Sequence, residues 1–305
     1  MSMAELFDYA IWWIGSFLGN RTPLVSTIII QYGCNLRCKH CSIHSGGADI
    51  GDNKLSYDEI VDELKLQYKN GARIAYFEGG ETTMWSDGDR NLGDLIRAAK
   101  RIGYNNVGYT TNGTKKLFIG SDVISVSIDG PRKIHDAIRG EGVFNELMKN
   151  VAATQFRGAI YANMVIQKDN MDHIEETAKI VKDNKKLAGI IFNFITPPPY
   201  DLALTIEEKK KAVAVIRELK KKGYPVLNSK MGLELLAEED WSVKCPYYVT
   251  VFMIPGGSHH NGCPMHDTDS CKHCGFAAVR EYYLVKKGNP FTIMEMSSMF
   301  ALSKK

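Results

Sequence analysis

The chain has 305 residues, of which 44% are hydrophobic, and its 38 Lys and Arg residues nearly balance 35 Asp and Glu residues. This length allows one large α/β domain with an appendage, and the apolar content is sufficient for a core without disulfide bonds. A net charge of +3 excludes a strongly basic nucleic-acid-binding protein, so no nucleic-acid partner is expected. The charged fraction of 24% argues against a disordered chain.

The first 22 residues predict an amphipathic helix. The run MSMAELFDYAIWWIGSFLGN lacks the basic start of a signal peptide. Its uninterrupted apolar part, residues 9–18, is too short to span a bilayer, which takes about 20 residues. Two interpretations remain open. The helix packs on the core or at a dimer contact, or it lies at a membrane interface and guards the entrance for an apolar substrate.

The middle of the chain alternates predicted strands with predicted helices. Two of these helices begin with a capping box, formed by Ser56 with Glu59 and by Thr205 with Glu208. The apolar strand runs are typical of a parallel sheet buried on both faces. Six such strands are too few for a complete eight-stranded barrel, so an open partial barrel or a doubly wound sheet is expected. The predicted strands are 26–32, 73–78, 106–111, 122–128, 159–166 and 189–195.

The pattern changes from about residue 228, where the sequence becomes irregular and rich in Gly, Cys and His. We therefore predict three parts along the chain. They are the N-terminal helix (1–22), the α/β domain (23–225) and a small C-terminal metal-cluster module (226–305).

The seven cysteines form two groups that are separated by about 200 residues of chain. An odd number fits poorly with a disulfide framework and better with reduced thiols that bind metal. The first group, in GCNLRCKHC, is Cys34, Cys38 and Cys41. The second group is Cys245, Cys263, Cys271 and Cys274.

The first group follows directly after the first predicted strand, at the sheet edge where functional loops of parallel α/β proteins gather. A structural zinc site usually takes four protein ligands, so three thiolates leave one coordination position open. An iron–sulfur cluster with three cysteine ligands likewise keeps one iron free to bind another molecule.

Two motifs carry a resemblance to a known family. GCNLRCKHC after the first strand and EGGETTMW after the second resemble the signature of the radical S-adenosylmethionine (SAM) superfamily. The resemblance implies a partial (β/α)6 barrel. It also implies a 4Fe–4S cluster held by Cys34, Cys38 and Cys41, with SAM chelated to the fourth iron. Gly79, Gly80 and Glu81 are implied to contact the methionine amino group, although Thr82 stands where the family has proline.

Further segments resemble the adenosine- and carboxylate-binding parts of the family, namely TTNGT at 110–114 and SVSIDG at 125–130. His40 stands where the family often has an aromatic residue near the adenine. Arg139 lies in HDAIRGEGVF, which resembles a loop downstream in several members, and could meet a carboxylate. The further cofactor-binding candidates are thus His40, Asn112, Ser127, Asp129, Arg139 and Asn163.

The second cysteine group supplies four soft ligands, which suit a fully ligated iron–sulfur cluster, a single iron or a structural zinc. We favour an auxiliary 4Fe–4S cluster, because the first site already requires cluster assembly. Four histidines lie close by in sequence, but four cysteines are enough to complete a site.

The N-terminal helix, RTPLV, LTIEEKKK, KCPYYVTVFM and CKHCGF together resemble the adenosylhopane synthase-like (HpnH-like) branch. This resemblance implies an oxygen-sensitive enzyme that cleaves SAM reductively to a 5′-deoxyadenosyl radical. The radical would modify the hydrocarbon part of an isoprenoid or membrane lipid. An auxiliary cluster that accepts an electron favours hydrogen abstraction with C–C bond formation. A low-potential electron donor and a cytoplasmic location, peripheral on the inner face of the membrane, are also expected.

Three other functions remain open. The enzyme could transfer the adenosyl group to a lipid alkene, or it could modify a peptide or protein. The nonenzymatic alternative is an iron–sulfur protein that transfers electrons or acts as a scaffold.

Overall fold

The computed structural model describes residues 2–45 and 53–302. The helices in these ranges are α1 (Met3–Phe17), α2 (Ser42–Ser45), α3 (Tyr57–Lys69), α4 (Leu92–Ile102), α5 (Arg132–Arg139), α6 (Val143–Ala153), α7 (Ile174–Asp183), α8 (Ile206–Lys221), α9 (Lys230–Leu236), α10 (Asp269–Lys272), α11 (Ala277–Lys286) and α12 (Pro290–Leu302). The strands are β1 (Val25–Gln31), β2 (Ile74–Gly79), β3 (Ser86–Asp87), β4 (Arg90–Asn91), β5 (Asn106–Thr111), β6 (Val123–Ser127), β7 (Ala159–Ile166), β8 (Gly189–Phe194), β9 (Thr250–Ile254) and β10 (Ser258–His260). The six predicted strands are present as β1, β2 and β5–β8, within one residue at each end.

The main sheet has the strand order β10-β9-β1-β2-β5-β6-β7-β8. The strands from β9 to β8 are parallel, and β10 is antiparallel to β9. Apolar residues on one face of the sheet, such as Ile28, Phe77 and Ile124, share one core with helix residues such as Leu64 and Leu95. Helices on one face, together with β1, β2 and β5–β8 in chain order, indicate a partial barrel, whereas a doubly wound sheet has helices on both faces.

The opposite face of the sheet surrounds an open space, which we call the lumen. Side chains alternate between the two faces of a strand, and on the inner face several remain partly exposed even in the middle of a strand. The inner face is therefore hollow and partly polar, whereas the sequence predicted a sheet buried on both faces. The partly exposed residues of the lumen include Ile29, Tyr76, Glu78, Thr110, Asn163, Ile191 and Asn193.

The C-terminal segment, which the sequence pattern suggested to be irregular, completes the sheet and bounds the lumen. Strand β9 pairs with β1, with Val25 opposite Thr250. Helix α11 begins at the carboxyl edge of the sheet, where the backbone N–H of Ala277 donates to Asn193 Oδ1 at 2.7 Å. Near its other end, the carbonyl of Val285 accepts a hydrogen bond from Trp13 Nε1 at 2.8 Å. The prediction missed these elements because short elements between Gly- and Cys-rich turns show little periodicity.

Helix α1 covers the amino edge of the sheet. Trp12 packs with Val25 and Ile74, which lie at the first positions of β1 and β2. The carboxylate of Asp8 lies 3.3 Å from Nε of Arg73, just before β2. This edge is opposite to the one where the cysteine loop leaves β1.

The apolar face of α1 points away from the protein. Trp12 and Ser16 are the buried residues of the helix, whereas the large apolar residues on its other side are between 45% and 82% exposed. Within the described part of the chain, no helix combines the length and the apolar character needed to cross a bilayer. The exposed residues are Met3, Leu6, Phe7, Ile11, Ile14, Phe17 and Leu18.

We predict that Trp12→Ala lowers the free energy of unfolding by about 3 kcal/mol, because it empties a buried site under the sheet. The substitution also removes the hydrogen bond from Trp12 Nε1 to the carbonyl of Thr22. Urea denaturation followed by circular dichroism measures the change. Phe7→Ala, on the 66% exposed side of the same helix, should stay within about 0.5 kcal/mol of the wild type. Equal effects of the two substitutions would contradict this packing.

Candidate metal centres and cofactor site

Cys34, Cys38 and Cys41 lie on the loop that leaves the carboxyl end of β1. Burial raises the pKa of the Cys38 thiol to about 11, and negative charge on Cys34 and Cys41 adds to this rise, whereas the positive charge of Arg139 opposes it. Burial also raises the pKa of Cys34, which senses the charge of Cys41. The three thiols therefore share one small region, as a common metal centre requires.

The end of β2 lies directly against the start of the cysteine loop. The backbone N–H of Gly80 donates to the carbonyl of Gln31 at 2.7 Å, and that of Glu81 donates to the carbonyl of Gly33 at 2.9 Å. A Cβ atom at Gly79 would lie 2.3 Å from the Gln31 carbonyl, and one at Gly80 would lie 2.2 Å from the Gly33 carbonyl. These two positions therefore require glycine.

The carboxylate of Glu81 is fully buried and bonded to the protein. Its Oε1 accepts hydrogen bonds from the Thr83 backbone N–H at 3.0 Å and from the Thr83 and Thr111 hydroxyls, each at 2.6 Å. Its Oε2 accepts from the backbone N–H of Asn112 at 2.7 Å. The carboxylate thus ties the end of β2 to the end of β5. The sequence resemblance implied a contact with the cofactor, but only the two glycines of this motif are partly exposed.

A buried charge network lies behind Cys38. Nε of Arg139 donates to Oδ2 of Asp129 at 2.5 Å, and Nη1 lies 3.9 Å from the Cys38 sulfur. Nη2 lies 3.4 Å from Nε2 of His40. Arg139 ends helix α5, a segment that the sequence comparison treated as a loop. The guanidinium therefore faces a candidate cluster ligand and an internal carboxylate.

Burial and charge set the protonation of this network. Burial acts to raise the pKa of Asp129, but the positive charge of Arg139 outweighs it, so the pKa is lowered and the carboxylate is charged. Burial lowers the pKa of His40 to about 4, so its ring is neutral at pH 7. Arg139 and Asp129 thus form a charge-balanced ion pair in a largely buried site.

Asn112, Ser127 and Asn163 also lie at the carboxyl edge or on the inner face of the sheet. Nδ2 of Asn112 lies 3.8 Å from the Cys34 sulfur. Ser127 and Asn163 are partners across β6 and β7, and Oδ1 of Asn163 accepts from Nδ2 of Asn193 at 2.8 Å. The structure therefore places the residues implied by the resemblance at the carboxyl edge of the barrel, except Asn163, which lies on the inner face within β7.

The second cysteine group surrounds a single cavity. Burial raises the pKa of Cys245 to about 12 and that of Cys263 to about 11, and negative charge on the other thiolates adds to both. Within residues 2–45 and 53–302, no group of three or more Cys, His, Asp or Glu side chains is arranged to hold a single metal ion. The residues that line the cavity include Thr196, Trp241, Cys245, Cys263, Cys271 and Cys274.

Two residues beside this cavity were missed by sequence reasoning. Arg280 is buried, with Nη1 3.5 Å from the Cys274 sulfur, and its guanidinium lies 4.6 Å from the ring centroid of Trp241. The buried indole N–H of Trp241 has no hydrogen-bond partner among the described residues. A cation and an unused donor next to four thiols match the needs of an anionic iron–sulfur cluster.

The second site lies at the same edge of the sheet as the first. The backbone N–H of Gly275 donates to Oγ1 of Thr196 at 2.9 Å, and the N–H of Phe194, the last residue of β8, donates to the carbonyl of Gly275 at 3.0 Å. The cysteine module is thus joined to the carboxyl end of β8, beside the mouth of the lumen.

A family model described as the Radical SAM superfamily matches residues 28–181, just over half of the chain. The chain belongs to the radical SAM superfamily. The matched segment contains the cysteine loop, the Gly79–Glu81 motif and the Asp129–Arg139 pair.

The similar proteins of this radical SAM family member include a synthase and a maturase. One is the Fe-coproporphyrin III synthase of Methanosarcina barkeri, 29% identical over 214 residues, which cover 63% of this chain and 51% of the relative. Another is the mycofactocin maturase MftC of Mycobacterium tuberculosis, 30% identical over 177 residues, which cover 53% of this chain and 42% of the relative. The chain spans about half the length of these relatives.

Solved structures share the fold over most of the chain. The structure of anSMEcpe with bound AdoMet has a TM-score of 0.62 at 18% identity, and the match covers 93% of this chain and 84% of that one. SuiB of Streptococcus suis bound to the precursor peptide SuiA has a TM-score of 0.63 at 15% identity, covering 96% and 71%. The predicted partial barrel is thereby confirmed.

Family membership establishes two of the predictions from sequence. The protein is a radical SAM enzyme, and its cofactors are S-adenosylmethionine and a 4Fe–4S cluster. The loop with Cys34, Cys38 and Cys41 fits this cluster, because it places three free thiols within electrostatic range of one another at the carboxyl edge of the barrel.

We predict that Glu81→Gln lowers the free energy of unfolding by at least about 2 kcal/mol, because an amide group would face donors that now bond a carboxylate. Urea denaturation measures the loss. Glu141→Gln, at an exposed position, is the matched control and should change stability by less than about 0.5 kcal/mol. A Glu81→Gln protein as stable as this control would show that the buried hydrogen bonds contribute nothing.

Proposed function

We propose that this enzyme carries out an oxidative radical modification of a substrate that enters the lumen from the carboxyl edge. The supporting observation is the position of the four-cysteine cavity, which is joined to the end of β8 at that same edge. A redox centre there would lie beside the substrate and could take up the electron that an oxidative reaction releases.

In this proposal Cys34, Cys38 and Cys41 bind three irons of the catalytic cluster. Gly79 and Gly80 present backbone to the methionine end of SAM, since both are partly exposed beside the cysteine loop. Asn112 and Ser127, at the ends of β5 and β6, and Asn163, within β7, offer hydrogen-bonding groups to the rest of the cofactor. Asp129, His40 and Arg139 form a hydrogen-bonded network next to the cluster. In it, the Arg139 guanidinium lies beside Cys38.

The bound cluster and SAM supply reductive cleavage of the sulfonium to methionine and a 5′-deoxyadenosyl radical, with the electron coming from a low-potential donor. The protein must orient the cofactor and keep water out. The apolar cluster that includes Trp12, Tyr248 and Val249 closes the amino end of the lumen, so the substrate has access from the carboxyl edge.

We assign Cys245, Cys263, Cys271 and Cys274 to an auxiliary 4Fe–4S cluster. Four thiolates complete its ligation, and Arg280 offsets part of its negative charge. The alternative for this site is a single iron or zinc ion. The measured metal content distinguishes a single ion from a 4Fe–4S cluster.

We predict about eight iron atoms per chain after anaerobic reconstitution, about four for each cluster. Cys34→Ala should lose the catalytic cluster and the release of 5′-deoxyadenosine after reduction, because its thiolate is one of only three ligands. Cys271→Ala should lose the second set of iron atoms, and each variant serves as the control for the other. Release that persists in Cys34→Ala would contradict the catalytic assignment. About four irons in the wild type would assign the second site to zinc or to no metal.

The substrate class supported by the lumen is a peptide or another substrate with hydrogen-bonding groups near the reacting carbon. The lumen presents hydroxyl, amide and carboxyl groups from Tyr76, Thr110, Asn163, Asn193 and Glu78. Such groups are costly to leave without partners when a substrate displaces water. A purely apolar hydrocarbon substrate would provide no hydrogen-bonding partners for these groups.

A second candidate substrate is the hydrocarbon part of an isoprenoid or membrane lipid, with hydrogen abstraction and C–C bond formation or with adenosyl transfer. The exposed apolar face of α1 favours it, because such a face suits a peripheral contact with the inner face of a membrane. Helix α1, however, lies at the amino edge, opposite to the cysteine loop. A lipid would therefore have to leave the bilayer to reach the radical.

We predict that replacing three apolar residues of α1 by serine weakens co-sedimentation with phosphatidylcholine and phosphatidylglycerol vesicles by more than about tenfold, since each buried apolar side chain contributes 1.5–3 kcal/mol as an order of magnitude. The test variant is Phe7→Ser, Ile11→Ser and Ile14→Ser. The control replaces three exposed apolar residues elsewhere and should bind as the wild type does. The control variant is Ile119→Ser, Val215→Ser and Val243→Ser.

Unchanged vesicle binding of the α1 variant would assign the apolar face to a protein contact and remove the support for a lipid substrate. Mass spectrometry of lipids from a host that expresses the chain then distinguishes the lipid reactions. Loss of two hydrogens indicates coupling, and a gain of one adenosyl unit indicates addition.

A further inference from the structure

The carboxyl group of Glu78 lies in the lumen directly below the candidate cofactor site. Ile74, Tyr76 and Glu78 alternate along β2, so their side chains share one face of the strand. Ile74 belongs to the apolar cluster at the closed end of the lumen, with Tyr76 packed against it. Phe77, between Tyr76 and Glu78, is buried in the core beneath the helices. Glu78 is therefore the lumen residue of β2 closest to Gly79 and Gly80.

The surroundings of Glu78 contain no compensating charge among the described residues. Its carboxyl group forms no hydrogen bond or salt bridge there. The pKa is raised to about 7, with burial as its cause. The titratable group that senses Glu78 is Tyr76, which is neutral because burial and this carboxylate raise its pKa to about 12.

Neighbouring strands and α11 add only uncharged groups near Tyr76. The hydroxyl of Thr110 on β5 donates to the Tyr76 hydroxyl at 3.3 Å, and the Ser125 side chain on β6 acts to lower the Tyr76 pKa. Tyr161 on β7 and Tyr282 on α11 sense the charge of Tyr76, and burial raises the pKa of both. The cationic side chains at this edge are engaged elsewhere, Arg139 with Asp129 and Arg280 with Cys274.

An ionised carboxylate without a partner is costly in such a position, unlike the Asp129 carboxylate, which has Arg139. Glu81, three residues away, shows how a structural carboxylate in this region is used, since its two oxygens accept four hydrogen bonds. Glu78 accepts no such hydrogen bonds from the described residues, and it is partly exposed on the lumen side of β2. A group that compensates the Glu78 charge can therefore be supplied by the molecule that fills the lumen.

We infer that Glu78 binds a cationic group of the substrate, an alkylammonium or a guanidinium, within a few bonds of the carbon attacked by the radical. This inference rests on the proposed function and narrows its substrate class to cationic compounds, such as peptides with Lys or Arg or an N-terminal amine. SAM itself offers an α-ammonium, which the resemblance places near Gly79 and Gly80, as well as a sulfonium, so the test must separate the cofactor from the substrate.

The test supplies fully C-deuterated n-butylammonium and n-butanol as probes, which are alike in size and differ in charge. Reduced enzyme with SAM receives each probe at the same concentration, and mass spectrometry measures deuterium in the released 5′-deoxyadenosine. A charge-assisted hydrogen bond contributes about 1.5–3 kcal/mol, so the wild type should take more than about tenfold more deuterium from the ammonium probe.

Glu78→Gln should bring the two probes close to parity, and Glu78→Asp should retain a preference for the ammonium. Glu141→Gln, an exposed control, should show the full wild-type preference. Equilibrium dialysis of labelled SAM should give the same affinity for Glu78→Gln as for the wild type, because the inferred partner is not the cofactor. Thermal melting verifies that each variant is folded.

Equal deuterium transfer from both probes in the wild type would overturn the inference, as would a preference that Glu78→Gln retains. A tenfold weaker affinity of Glu78→Gln for SAM would assign Glu78 to the cofactor and likewise overturn it. These outcomes all include release of 5′-deoxyadenosine. If the wild type releases none, the proposed function itself fails, which is a separate result.

Discussion

The close backbone contact between the ends of β1 and β2 is the constraint on which the catalytic edge depends. Gly79 and Gly80 leave no room for a side chain against Gln31 and Gly33, so the cysteine loop starts at a fixed distance from the Gly79–Glu81 motif. The buried carboxylate of Glu81 extends this unit to the end of β5 through Thr111 and Asn112. Three strand ends thus behave as one rigid support, and preorganised sites need such a support.

Charge differs between the two cysteine groups and the lumen that lies between them. Each cysteine group has one buried arginine, Arg139 beside Cys38 and Arg280 beside Cys274. Each cation faces sulfur ligands that carry negative charge when metal is bound. The lumen between them contains the carboxyl group of Glu78 and no cation among its described partners. In the proposed assignment, the protein therefore neutralises its own redox groups and leaves one acidic position for the substrate.

The sequence was most informative about the strands and the cysteines. β-branched apolar runs predicted β1, β2 and β5–β8 because a core-facing strand must be apolar on its helix side. The tight spacing of Cys34, Cys38 and Cys41 predicted that their thiols lie close together, because ligands on one loop can converge. Helix α5 and strand β9 were missed, since short elements have few periodic positions.

The rest depends on tertiary neighbours that no local pattern contains. Arg280 and Trp241 are far apart along the chain, and only packing brings both to the second cysteine group. Glu81 links two strand ends inside the protein and is not an exposed acceptor, because Thr83, Thr111 and Asn112 donate hydrogen bonds to its carboxylate. The direction of the apolar face of α1 was left open by its composition, and the burial of Trp12 decided it.

The position of β9 has a consequence for how the chain is synthesised. Strand β1, which begins the catalytic loop, lies between β2 and β9, and its partner Thr250 is separated from Val25 by most of the polypeptide. During synthesis β1 remains an edge strand with unpaired backbone groups until the C-terminal segment leaves the ribosome. Pairing across such a sequence separation is slow. The two cysteine groups are therefore brought to one edge only after β9 and the second cysteine group have been synthesised, which separates the assembly of the two groups in time.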